Sequence, residues 1–419
     1  MLFFGGSRNR LPEATSKDRR VLWIMVVVVT MSYVGVSLPY PILAPIFLSD
    51  PLGASLAASI SMSPEMALGL VLAAYPAGMF FGNQLLGGMA DKFGRKPALL
   101  TSLVGAAGGY ALSAAGLAFE NIWLLLVSRL LTGVFEGNVP IARALAADLS
   151  PRVPKTISFG YIGGAVYAGY LIGPLAGGAL TSVTVGAPFE VATALALVLA
   201  IAVAFLLPST RAESSAGISS SSSFSPLLLM KSRKTANLVA VNFLAAISVS
   251  AFYQFYPIVL VKDRGYDGMD IALITANLTV ALLLSSVFLI KPSSDRLGLT
   301  SATSIAGACF SVALCASLWP DSGVLIWILY FAIGTFIPLF TTNLSVYTSN
   351  QLPADVQGRL MGLLGSAGSL GATAVILIGS YAAQFSAGIP IIFGAALAAM
   401  SVAYLIVISM PQAVEQVST

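Results

Sequence analysis

The chain has 419 residues, 57% of them hydrophobic and only 9% charged. A soluble domain carries about 25% charged residues, so this composition excludes a soluble fold and describes a polytopic membrane protein. The formal charge of +4 does not point to nucleic acid, because the basic residues sit in short loops between apolar runs, and the absence of histidine excludes a histidine-ligated metal and leaves any proton relay to carboxylates.

Residues 1–20 form a polar, basic tail. The apolar run after them is longer than a secretory core and lacks a clean cleavage site, so it is expected to stay as the first helix. About 20 apolar residues cross a bilayer. Twelve such spans are expected near 21–47, 65–90, 97–118, 122–147, 156–181, 187–207, 237–261, 270–290, 299–318, 323–349, 357–384 and 388–410. Residues 208–236 hold a serine-rich run without apolar periodicity and read as a flexible cytoplasmic linker. The expected organisation is a six-helix bundle over 21–207, the linker, a second six-helix bundle over 237–410, and a cytoplasmic tail over 411–419. Cys309 and Cys315 share one apolar span and read as small core residues rather than a disulfide.

Loop charge sets the orientation. Lys262 and Arg264 fall on one side of the membrane, Arg129 and Arg143 fall within it, and the rest of the 21 lysines and arginines fall on the side of the N-terminus. Both termini are therefore expected in the cytoplasm. The short loops suit a bacterial inner membrane.

The halves read as weak copies of each other. Tyr40-Pro41-Ile42-Leu43 recurs as Tyr256-Pro257-Ile258-Val259, and Asp91-Lys92-Phe93-Gly94 as Asp295-Arg296-Leu297-Gly298. Arg129 to Gly133 has its counterpart in Tyr330 to Gly334. Three matches in one order imply an all-α integral membrane fold of 12 transmembrane helices. Its two six-helix bundles are related by a pseudo-two-fold axis along the membrane normal, and a substrate site lies between them.

The fourth span carries Arg129, Glu136 and Arg143, seven residues apart and so on one face of a continuous helix. A charge at the bilayer centre costs about 2.5–3.5 kcal/mol on insertion scales, so this face must look into protein or water. One reading is a structural charge network. The other is a proton or substrate site, with Glu136 exchanging the proton. Burial and a nearby arginine act in opposite directions on the proton affinity of such a carboxylate.

The loop after the second span reads Gly87-Gly88-Met89-Ala90-Asp91-Lys92-Phe93-Gly94-Arg95-Lys96. Gly94 permits an unusual backbone angle. The loop resembles the G-x-x-x-D-R-x-G-R-K signature of the major facilitator superfamily, with Lys92 where the family usually has arginine. The resemblance implies a cytoplasmic latch of the outward-open state made by Gly87, Asp91, Gly94, Arg95 and Lys96, with Asp148 as a partner. Arg129-Leu130-Leu131-Thr132-Gly133 resembles the family's buried-arginine motif, which implies a part for Arg129 in proton coupling. In the fifth span, Gly169 precedes Gly173-Pro174-Leu175-Ala176-Gly177-Gly178. This is small-residue packing with a proline kink. It also resembles the G-P-x-x-G-G motif of drug:proton antiporters, which implies export. On that resemblance Gly169, Gly173, Pro174, Gly177 and Gly178 form a smooth face where the bundles rock against each other.

The rest of the cavity is expected from polar and aromatic residues in mid-span: Tyr33, Ser37, Tyr40, Asn138, Arg143, Asn242, Gln254, Tyr256, Asn277 and Asn343. Two arginines and one glutamate would suit an anionic or zwitterionic substrate. No GxxxxGK[ST] loop is present, so ATP is not the expected energy source, and no cofactor, metal or enzymatic chemistry is expected. The expected partners are a small-molecule substrate, protons and the bilayer, with no nucleic acid, and a monomer suffices. The leading expectation is a proton-coupled antiporter of efflux type, as in multidrug resistance. An uptake symporter or facilitator on the same fold, and a non-transporting receptor or assembly factor, are the alternatives.

Overall fold

Side-chain caps and prolines place the helix starts. Thr15 and Asp18 cap each other's backbone N–H at the start of α1 (Ser16–Ser37). Ser63 caps α4 (Pro64–Phe93), with Pro64 at its first turn. Asp267 and Asp270 repeat the reciprocal cap on α10 (Gly268–Phe288). The computed structural model describes residues 15–136, 141–142, 145, 153, 155–180, 183–207, 232–319, 322–351 and 354–417, with the backbone alone at some helical positions, Tyr40, Gly87 and Asp91 among them. The 208–231 part of the expected linker lies outside these residues.

The described chain is helical. The first expected span is two helices, α1 and α2 (Tyr40–Ser49). Pro39 and Pro41 remove two backbone donors there and so interrupt the i→i−4 ladder. A short α3 (Pro51–Ala58) follows in the loop. α4, α5 (Arg95–Ala118), α6 (Ile122–Phe135), α7 (Lys155–Leu180) and α8 (Ala187–Leu206) complete the first half. The second half comprises α9 (Arg233–Arg264), α10, a short α11 (Ile290–Leu297), α12 (Leu299–Ala316), α13 (Gly323–Asn350), α14 (Ala354–Ala383) and α15 (Ile389–Val417). Among the described residues, ten helices are long and apolar enough to cross a membrane. The fourth expected span is described only to Phe135, and glycines and tyrosines dilute the hydropathy of α7.

Each half packs on itself: α1 on α7 and α8, α4 and α5 on α6, then α9 on α14 and α15, and α12 and α10 on α13. Gly94 (φ 95) separates α4 from α5, and Gly298 (φ 76) separates α11 from α12. The same left-handed device therefore stands at matching places in the two halves, as the repeated Asp-x-x-Gly motif anticipates.

The halves meet through α4 with α14, α7 with α10, and α2 with α9. The meeting is at one end. Lys262 Nζ at the end of α9 lies 2.8 Å from Glu65 Oε1 at the start of α4, and donates to the Ala383 carbonyl at 3.2 Å. Gly69 packs on Ser380, and Gly178 on Ala272. One hydrophobic cluster runs through both halves here, joining Ile42, Phe47 and Leu68 to Phe252, Ile258 and Ile271. The cluster at the opposite end, around Leu22, Ala90, Leu99 and Val203, is built from the first half alone.

Candidate functional site

α6 begins where Asn121 Oδ1 accepts the Leu124 N–H at 3.0 Å. It stops at Phe135. Glu136 leaves the helical region with φ −85 and ψ 66, its N–H still donating to Gly133 at 3.2 Å. The expectation of one continuous helix with Arg129, Glu136 and Arg143 on one face is therefore corrected. Pro140, four residues on, has no N–H for the Glu136 carbonyl, and its ring would collide with that carbonyl. Ser102 of α5 takes up one of the released carbonyls, donating to Phe135 at 2.5 Å. Asn138 and Arg143 lie outside the described residues.

Glycines let α6 sit deep. A Cβ at Gly78 or Gly82 of α4 would strike the α6 backbone, and one at Gly133 would strike the Tyr75 carbonyl. Arg129 is buried to 6% exposure by this approach, its guanidinium carbon 4.9 Å from the centre of the Tyr75 ring. That geometry is a desolvated cation–π contact. Glu136 is 9% exposed and lines a cavity of about 10 Å³ with Ser32 of α1, Tyr110 of α5 and Ala192 of α8. Tyr110 lies within electrostatic reach of both Glu136 and Arg129. The structure thus gathers the arginine and the carboxylate in the interior of the first half, around tyrosines that sequence reasoning missed. Tyr75 and Tyr110 carried a faint signal, since each is a tyrosine in mid-span rather than at a membrane interface.

The expected cavity residues separate into two groups. Ser37 is buried against α7, donating to the Tyr33 carbonyl at 2.6 Å and the Gly169 carbonyl at 3.1 Å. Tyr256 belongs to an aromatic core with Phe252, Phe310 and Tyr330, its hydroxyl 2.5 Å from Thr275 Oγ1. Asn343 is buried at the α13–α11 contact, its amide 3.4 Å from Ser293 Oγ. These three face helix contacts here rather than a cavity. Tyr33, Asn242, Gln254 and Asn277 are half-buried. Tyr33 packs edge-on against Tyr170, with centroids 5.0 Å apart. Asn242 donates to Leu238 at 2.8 Å and to Thr348 Oγ1 at 2.7 Å, and Asn277 to Trp327 at 2.9 Å. The Tyr40 side chain is not among those described.

In the expected latch, Gly94 takes the positive φ anticipated for it. Lys96 does something else: its ammonium donates at 2.7 Å to both the Ala204 and Leu207 carbonyls, capping the C-terminus of α8. Arg95 is half-buried, Gly87 and Asp91 are described by their backbone alone, and Asp148 lies outside the described residues. At the matching place in the second half, Lys291 donates to Asp295 at 2.6 Å, and that carboxylate holds the lysine above its ordinary pKa. The pair is exposed and contributes little stability.

The glycines of α7 require a correction. Gly169 packs on Tyr33 and Thr30, Gly173 on Ser37 and Val34, and Gly177 on Leu38, all of α1 and the residue just past its end. They seat α1 within its own half instead of forming a face between halves. Gly178 alone of the four reaches the other half, where an added Cβ would lie 2.8 Å from Ala272 Cβ. Pro174 is buried in the helix between them.

Comparisons with known proteins agree on one family. The family model described as Major Facilitator Superfamily matches residues 25–376. The chain is 25% identical over 313 residues to the class B tetracycline resistance protein of Escherichia coli, covering 72% of this chain and 76% of that one. It is 27% identical over 244 residues to a quinolone resistance protein of Staphylococcus aureus, covering 58% of each. The crystal structure of a human organic anion transporter superposes with a TM-score of 0.70 at 20% identity, covering 93% of this chain and 100% of that one.

Proposed function

The chain belongs to the major facilitator superfamily, a family of multi-pass membrane transporters, and from that premise we propose that it is a proton-coupled antiporter exporting a small organic molecule. The observation that carries this reading is the burial of Glu136 and Arg129 inside one bundle, both within electrostatic reach of Tyr110. A carboxylate and a guanidinium held away from water are costly and mark a functional site by default. Export is supported by the resistance relatives and by the complete Gly173-Pro174-x-x-Gly177-Gly178 motif.

Glu136 takes up and releases the proton, and Arg129 sets its affinity. Glu136 lies within the first half, among α1, α5 and α8. Its protonation therefore acts on the substrate site through the break at the end of α6 rather than by sharing a pocket with the substrate. A ligand shifts a two-state equilibrium only by its differential affinity for the two states. A charge that appears and disappears at this break supplies such a difference.

The loop charges support a cytoplasmic location for both termini, and the resistance relatives support a bacterial inner membrane. The joined end at Glu65 and Lys262 then faces outward, and the halves part toward the cytoplasm, ready to load. The substrate reading is an anionic or zwitterionic molecule, supported by the two arginines against one glutamate in the fourth span.

The test is proton movement in inside-out vesicles with an acidified lumen, as tetracycline, a fluoroquinolone or a lipophilic cation is added. Proton release on addition of one compound class, lost in Glu136→Gln at normal expression, is the expected result. Near-normal release by Glu136→Gln removes Glu136 from the mechanism. Release driven by lipophilic cations alone overturns the substrate assignment.

A further inference from the structure

Beyond the charged pair, the first half holds a feature that its fold alone does not require. The cavity of about 10 Å³ beside Glu136 is lined otherwise by apolar residues, including Met31, Leu103, Ala106 and Leu199, and by Ser32 and Tyr110. Ser32 is 8% exposed and Tyr110 2%. Both hydroxyl oxygens are buried without a hydrogen-bond partner among the described residues. Buried hydroxyls are nearly always bonded, and two left unbonded around one cavity mark a place where something polar belongs. A water needs about 10–15 Å³ and two to four polar partners. The cavity has room for one water, and three polar residues, Ser32, Tyr110 and Glu136, line it to serve as partners.

We propose that this cavity is a single-water site that serves Glu136 in both of its protonation states, with Ser32 and Tyr110 as positioning residues. The proposal rests on the reading of Glu136 as the proton-exchanging group. Water and hydroxyl each donate and accept, whereas an ammonium only donates. When Glu136 is a carboxylate, the water donates to it and accepts from Tyr110 or Ser32. When Glu136 is protonated, its O–H donates to the water, which turns and donates to one of the hydroxyls. The partners exchange hydrogen-bond direction and no heavy atom has to move. Other titratable groups in electrostatic reach of Glu136 are Tyr75 on α4 and Tyr170 on α7, and Arg129 acts on Tyr110 from α6.

Infrared difference spectroscopy on the full-length protein in lipid tests this directly. The carboxyl band of Glu136 is the one lost in Glu136→Gln. The water band is the one that moves when H2-18O replaces ordinary water. A methyl added in Gly35→Ala would lie 3.6 Å from the Tyr110 ring and hydroxyl and 3.8 Å from Ala192 Cβ, ordinary contact distances, while taking up part of the cavity. The expected result is an isotope-sensitive water band that changes with the Glu136 carboxyl band as pH is varied. That band is lost in Gly35→Ala and Tyr110→Phe, and the Glu136 proton affinity changes about tenfold in Tyr110→Phe and in Ser32→Ala. A carboxyl band that titrates unchanged in all three variants, with no water band, overturns the water site and leaves the role of Glu136 standing. No titrating carboxyl band assignable to Glu136 overturns the underlying reading instead. If Gly35→Ala misfolds, the two hydroxyl deletions carry the same decision.

Discussion

Arg129 shows how much one side chain depends on its shape. Its guanidinium lies over the Tyr75 ring, a planar contact that the compact ammonium of lysine reproduces poorly. We predict that Arg129→Lys keeps the charge yet loses about tenfold or more of proton-coupled exchange, since a desolvated cation–π contact is worth about 2 kcal/mol. The vesicle proton assay checks this, and wild-type exchange by Arg129→Lys would mean that charge alone suffices. The sequence made Arg129 and Glu136 visible because charges in an apolar span are rare. It left Tyr75, Tyr110 and Ser32 unseen, because a lone tyrosine or serine in a helix costs little until its neighbours bury it, and those neighbours come from α4, α5 and α1.

At the scale of one helix, α7 is a groove for α1. We predict that Gly177→Ala destabilises the protein by about 1–3 kcal/mol, because its methyl group would meet the Leu38 carbonyl. Gly164→Ala serves as the control, since nothing lies within 4 Å of a Cβ there. Thermal unfolding in detergent separates the two, and equal melting temperatures would refute the groove. The same element shows a limit of motif reading. A glycine pattern announces a close approach, but its partner could have been either half, and the structure selects α1 for three of the four positions. α6 shows a second limit. Residues seven apart share a face only while the helix lasts, and α6 stops at Phe135.

The whole molecule is held at one end, where Lys262 joins the halves through Glu65. The pair is 29% and 14% exposed, so its worth is about 1 kcal/mol or less. In a protein that must open at this end, that is enough to shift the balance of states. We predict that Glu65→Gln raises the labelling rate of a Ser380→Cys reporter, packed against Gly69 across the halves, by about threefold. The charge-reversed pair Glu65→Lys with Lys262→Glu should restore slow labelling. Unchanged labelling in Glu65→Gln would show that apolar packing alone closes this end.

Composition, hydropathy and the repeated motifs determined the membrane class, the order of the helices and the left-handed glycines between paired spans, because these follow from local chain physics and the bilayer's thickness. Charge placement singled out Glu136 and Arg129 for the same reason. The tertiary structure alone decided that Glu136 sits among α1, α5 and α8, that Ser37 and Tyr256 sit in helix contacts, that Lys96 caps α8, and that Glu65 meets Lys262. Each of these joins residues far apart in the chain. A sequence read one span at a time records which side chains are polar, but the packing of helices on one another decides which of them face each other.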